Sequence, residues 1–188
     1  MKILIHTCCA DCFLNTLDYL ADEHILDSQT QIISLFYNPN IHPRSEYLAR
    51  FDALKKVVDQ EKRYNIKIVT PDYKPTEYIA NTIDVKDNKN LSRCKKCWEM
   101  RLKYTIEYAL ANNFDFVTTT LLTSHYQNRG QIIDILEDLT KEHDIKIIKV
   151  DSSHNSKHAG FYKQPYCGCC FSLTEKMLQN WSIKNANG

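Results

Sequence analysis

Short apolar runs alternate with segments of helical period along this chain of 188 residues. The runs are Lys2–Thr7, Gln31–Tyr37, Ile66–Thr70, Phe114–Thr119 and Ile145–Val150. Between the first two, Phe13, Leu14, Leu17, Leu20 and Ala21 recur at helical spacing. Arg44–Tyr64 repeats the pattern with Tyr47, Leu48, Phe51, Leu54, Val57 and Val58, and Pro43 suits its first turn. Thr76–Ile83, Cys94–Asn113, Asn128–His143 and Leu173–Trp181 also read as helices. This alternation predicts an α/β fold: a mostly parallel sheet of about five strands flanked by helices. The expected topology is Rossmann-like, similar to the nucleotide alpha-hydrolase kind, with a metal site at its carboxyl edge. The length suits one core, so residues 1–188 are expected to form a single α/β domain with a cysteine-containing C-terminal segment. Ligands of such sheets bind at the carboxyl ends of the strands.

The cysteines fall at that edge. All eight lie in three tight groups: Cys8, Cys9 and Cys12; Cys94 and Cys97; Cys167, Cys169 and Cys170. The first group follows strand one, the last follows strand five, and the middle pair opens a helix. Thiolates are preferred ligands of zinc and of iron–sulfur clusters. Three short groups far apart in sequence predict one metal site built from three segments at the carboxyl edge. Disulfides would need an oxidising compartment. The opening M-K-I-L-I-H-T is too short for a secretory apolar region, and no run is long enough to span a membrane. The expectation is a cytoplasmic protein with no membrane association, in which spaced cysteines serve metal or redox chemistry.

Several functions are excluded by absence. The chain has four glycines, Gly130, Gly160, Gly168 and Gly188, so it holds neither a G-x-G-x-x-G turn nor a P-loop. The turn after strand one is H-T-C-C-A-D-C instead. The net charge of +1 makes no general case for nucleic acid. Lys86–Lys103 does make a local one: seven basic residues against Asp87 and Glu99 give net +5 around Cys94 and Cys97. Such a patch can meet a phosphate backbone, or can be a solvated face.

Four blocks together resemble the QueH family of epoxyqueuosine reductases. They are H-T-C-C-A-D-C at His6–Cys12, F-Y-N-P-N-I-H-P-R-S-E-Y at Phe36–Tyr47, R-C-K-K-C-W-E-M-R-L at Arg93–Leu102, and Y-K-Q-P-Y-C-G-C-C-F-S at Tyr162–Ser172. A weaker fifth is F-V-T-T-T-L-L-T-S-H-Y-Q-N at Phe116–Asn128. The resemblance implies the last step of queuosine synthesis, reductive removal of the epoxide oxygen of epoxyqueuosine in tRNA. It also implies a 4Fe-4S cluster, an adjacent mononuclear iron and an external electron donor. The chain departs from the family pattern at Asp11, where Pro is usual, in the segment before Arg93, and in the short stretch Asp151–Tyr162.

The positions matching the family's cysteines are Cys8, Cys9, Cys12, Cys94, Cys97, Cys167 and Cys169. Seven thiolates exceed one four-ligand site, which fits two neighbouring centres; which thiolate serves which is open. Cys170 matches no required ligand. Asp11 reads as a ligand or proton donor, or as the cap of the following helix. His125 reads as a proton donor or a surface histidine. Tyr37, Asn38 and His42 follow strand two and read as base or ribose contacts, or as turn residues. Arg93 and Arg101 would balance an anionic cluster or grip a phosphate, with Lys95 and Lys96 beside them on the basic segment. Two rival readings are a zinc-binding, RNA-interacting module without redox activity, and a thiol–disulfide oxidoreductase using Cys94 and Cys97.

Overall fold

A computed structural model of the chain describes residues 1–85, 92–151 and 158–186, with 183–186 as backbone only. In chain order the elements are β1 (Lys2–His6), α1 (Ala10–Asp22), β2 (Gln31–Leu35), α2 (Arg44–Gln60), β3 (Asn65–Val69) and α3 (Pro75–Thr82). Then come α4 (Ser92–Ala111), β4 (Phe116–Thr119), a 3-10 turn (Thr120–Thr123), α5 (Arg129–Thr140), β5 (Lys146–Ile147) and α6 (Cys170–Ala186). The five strands form one sheet in the order β3-β2-β1-β4-β5, and every pairing is parallel.

This is the expected α/β fold. The order reverses at β1, which opens a crevice between the loops after β1 and β4. Helix α1 packs on α2, while α4 packs on both α3 and α5. Right-handed crossovers about the reversal put these two sets on opposite faces. The central strand is covered on both sides: Ile3, Leu4 and Ile5 have no exposed surface. That is why it reads as a continuous apolar run rather than an alternating one. In the register, His6 lies beside Leu35 of β2 and Thr119 of β4, so three strands end together.

Among the boundaries that differ from expectation, three bear on the site and the sheet edge. Helix α1 begins at Ala10, so Cys12 and Asp11 stand in its first turn rather than in a loop. Strand β5 shrinks from Ile145–Val150 to Lys146–Ile147. Just beyond it the Ile148 amide still donates to the Val117 carbonyl at 2.9 Å, and the Ile148 carbonyl accepts from the Thr118 hydroxyl at 2.8 Å. Helix α6 begins at Cys170 rather than Leu173. Residues 86–91 of the basic segment and 152–157 of the stretch Asp151–Tyr162 lie outside the described residues.

Candidate metal centre

The first cysteine group sits in the crevice. The Cys8 amide donates to Thr120 Oγ1 at 3.1 Å, and the same hydroxyl lies 3.3 Å from Cys8 Sγ. This ties the loop after β1 to the turn after β4. Cys9 is the N-terminal cap residue of α1, and Cys12 is in the first turn. Helix spacing therefore returns Cys12 toward Cys8 and Cys9, and the three sulfurs lie within 4.8 Å of one another. Sulfurs bound at about 2.3 Å to one tetrahedral ion lie about 3.8 Å apart, so a small inward shift would bring the triad onto a single ion. Hydrogen bonds from the Cys12 and Cys9 thiols hold Cys8 well below the ordinary thiol range, and the bond to Cys8 raises Cys12.

Cys94, Cys97, Cys167 and Cys169 line a neighbouring cavity of about 370 Å³. Burial pushes the Cys97 thiol up to about 12. Cys169 is held down to about 5, first by the Cys167 thiol and also by Ser172, whose amide donates to its sulfur at 3.3 Å. A second cavity of about 260 Å³ has Cys8, Cys9 and Cys12 on its wall, with Asp11, Arg50, His125 and Lys163. Tyr126, Gln127, Tyr166 and Cys167 line both cavities, so triad and quartet are separated by one shared wall. Cys170 lines neither and starts α6.

Two buried guanidinium groups flank the thiols. Arg101, on α4, is 1% exposed and donates to Asn38 Oδ1 at 2.7 Å. Its charge helps to hold Cys8 down and partly offsets the burial that raises Cys97. No ion pair joins Arg101 to a carboxylate among the described residues. A buried cation of this kind requires anionic partners. Deprotonated thiols, or a cluster bound to them, supply that charge, so the donor set and its counter-charge fit a thiolate-held metal group. Arg50, on α2, pairs with Glu46 at 2.6 Å and donates to the Cys167 carbonyl at 3.1 Å. It thereby pins the last cysteine group against α2. Sequence reading missed Arg50, since Glu46 and Arg50 at helical spacing look like a solvated pair. It also missed His6, buried beside Thr119 Oγ1 at 2.7 Å and held down to about 3, mainly by burial.

The other expected site residues divide. Asp11 does not cap α1; it stands in the first turn and pairs with Lys163 at 2.7 Å. His125 is exposed on the wall of the triad cavity, with its ring 3.9 Å from that of Tyr126. Asn38 is buried, donating to the Thr7 carbonyl at 2.8 Å while accepting from Arg101. His42 bonds the Asn40 carbonyl through Nδ1 at 2.7 Å, and its amide donates to the Gly168 carbonyl at 2.8 Å. The loop after β2 thus clasps the last cysteine group. Arg93 lies over the Phe171 ring at 3.8 Å on the quartet cavity. Tyr37 turns elsewhere: its hydroxyl donates to Glu77 at 2.9 Å and its ring stacks on Tyr104 at 4.0 Å. It shares a separate surface groove with Lys96. Lys95 is exposed and reaches Glu99 only at 3.9 Å.

The sequence profile of the family described as Epoxyqueuosine reductase QueH matches residues 3–175, a span that holds every cysteine. The chain belongs to this family. Its members are oxidoreductases by name, and the resemblance carried by the cysteine blocks is borne out. The Epoxyqueuosine reductase QueH of Dehalococcoides mccartyi is 31% identical over 93% of this chain and 94% of its own length. The Thermotoga maritima protein of the same name is 30% identical over 99% of this chain and 97% of its own length. That of Haemophilus influenzae is 31% identical over 93% of this chain and 72% of its own. Similarity therefore runs through the whole α/β unit and the last cysteine group.

Proposed function

We propose that this protein reduces epoxyqueuosine in tRNA to queuosine, drawing electrons from an external donor through a 4Fe-4S cluster beside a single iron. The observation that carries the reading is the pairing of a compact thiol triad with a neighbouring thiol quartet, in a chain matched by the reductase family throughout. Cys94, Cys97, Cys167 and Cys169 would hold the cluster, and Cys8, Cys9 and Cys12 the iron. When bound, these groups supply single electrons and a Lewis acid for the epoxide oxygen.

The residues around them do the rest. The reaction takes two electrons and two protons, breaks both carbon–oxygen bonds of the epoxide, forms the ring double bond and releases water. The triad cavity, at about 260 Å³, receives the modified base. Tyr126 and Tyr162 are exposed at its mouth and offer ring faces to a base. Lys163, held by Asp11, and His125 stand on the same wall as proton donors to the departing oxygen. Arg101 offsets the negative charge of the thiolates, and the exposed lysines of α4, Lys95 and Lys96, meet the phosphate backbone. No helix among the described residues is long and apolar enough to cross a membrane. Thiolate-held metal groups and a tRNA substrate favour a cytoplasmic setting for this activity.

The spectrum of anaerobically purified protein tests this reading. A broad visible absorption that dithionite bleaches is expected of a cluster. A colourless, zinc-containing protein would support the RNA-interacting module instead. A titratable dithiol indifferent to metal would support the thiol–disulfide oxidoreductase.

A further inference from the structure

Trp98, Gln127 and Cys167 form a chain of hydrogen bonds across the wall shared by the two cavities. The indole Nε1 of Trp98 lies 2.6 Å from Gln127 Oε1, and Gln127 Nε2 lies 3.3 Å from Cys167 Sγ. An indole nitrogen can only donate. The Gln127 oxygen must therefore face Trp98, and its NH2 group must face the sulfur. Trp98 is 2% exposed and cannot swing away. The Gln127 backbone is itself anchored, its N–H donating to the Ser124 carbonyl at 3.1 Å. Cys167 is gripped at its other end by Arg50, through the carbonyl at 3.1 Å. The sulfur thus meets an N–H donor whose direction is set by a buried ring on α4 and a loop after β4.

Such a donor has more to do than fill space. Reducing a thiolate-bound cluster adds negative charge that spreads onto the ligand sulfurs. A hydrogen bond to one of those sulfurs stabilises the reduced form more than the oxidised one, and so raises the potential. We propose that Gln127 is a positioning residue, aimed by Trp98, that orients Cys167 and makes the cluster held by its quartet easier to reduce. The inference rests on the proposed reductase reading and adds to it a residue that tunes the electron-accepting step. The Gln127 NH2 group meets the Cys167 sulfur, so its effect belongs in the potential.

Mediated dithionite titration, followed by electron paramagnetic resonance, tests it on anaerobically prepared wild-type, Gln127→Leu and Trp98→Phe proteins, with iron content measured on each. Gln127→Leu keeps the volume and removes the donor. Its cluster is expected to be harder to reduce by roughly tenfold in equilibrium constant, 59 mV for one electron, at wild-type iron content. Trp98→Phe frees the amide to turn, and its potential should fall between the other two. Wild-type potential in Gln127→Leu at full iron content overturns the proposal. Should Gln127→Leu fail to hold iron, Trp98→Phe decides, and an unchanged potential there overturns it. A wild-type protein with no reducible iron would instead remove the reductase reading itself, and the inference with it, before any variant is compared.

Discussion

Gly168 lies directly against Arg50: a Cβ at position 168 would fall 2.5 Å from the Arg50 Nη2 atom. The glycine also has φ +108°, which L side chains rarely adopt. Both constraints explain why one glycine separates Cys167 from Cys169. It lets the guanidinium reach the Cys167 carbonyl and turns the chain so that the two sulfurs share one cavity.

Gly168→Ala should therefore cost on the order of 1–3 kcal/mol from backbone strain alone. Because the strain falls between two thiols, iron content should drop with it. Thermal melting alongside iron analysis checks this. A variant with wild-type melting temperature and wild-type iron would show that the close approach is dispensable.

Arg101→Leu should expose the electrostatic role of the buried cation. It leaves Asn38 Oδ1 without its donor and the thiolate region without its counter-charge. Breaking a buried charge partnership typically costs about 3–5 kcal/mol. The loss should be large in the metal-loaded protein. It should be much smaller in the metal-free protein with its thiols protonated, where Arg101 is itself uncompensated. Denaturant unfolding of both forms measures the difference. Equal losses in the two forms would mean that Arg101 is only a packing residue.

The fold was legible because every strand and helix carries its own periodic signal. Ile3, Leu4 and Ile5 form a run only a strand buried on both faces needs, and α1 shows its apolar stripe. The cysteine groups were legible because thiols are rare and clustered. What escaped was the scaffolding between distant segments. Arg50 to Cys167, Trp98 to Gln127 and Arg101 to Asn38 each join residues whose proximity is set by the sheet order, with no local pattern to mark it. Ile145–Val150 has strand composition, yet only Lys146–Ile147 pairs as a strand, at the edge of the sheet beside β4. Tyr37 reads as a site residue from its motif, but its phenol is occupied by Glu77 and Tyr104 beyond the cysteine region.

Single cysteine variants should separate the ligands. Cys94→Ser, Cys97→Ser, Cys167→Ser and Cys169→Ser are expected to lose the cluster absorption, whereas Cys8→Ser should keep most of it and lose the single iron. Cys170→Ser should retain both, since it lies on neither cavity wall. Full iron content in Cys94→Ser or Cys167→Ser would strike that residue from the ligand set.

The exposed start of α4 should contribute to tRNA binding. Replacing Lys95 and Lys96 by Ala should raise KM for tRNA more than it lowers kcat, because phosphate contacts persist from ground to transition state. It should also reduce the dependence of log affinity on log salt by about one for each lysine lost. Binding curves at two salt concentrations, with iron analysis as control, measure both. Unchanged affinity and salt slope would take these lysines off the binding surface.

The central claim, that this chain reduces epoxyqueuosine in tRNA, is tested most directly on the nucleoside product. Anaerobic, iron-loaded protein is incubated with dithionite and tRNA bearing epoxyqueuosine, and the digested nucleosides are analysed by mass spectrometry. The account predicts loss of one oxygen atom from the modified nucleoside, giving queuosine, and no such loss with Cys167→Ser. Unaltered epoxyqueuosine after incubation with fully iron-loaded, dithionite-reduced protein would contradict it.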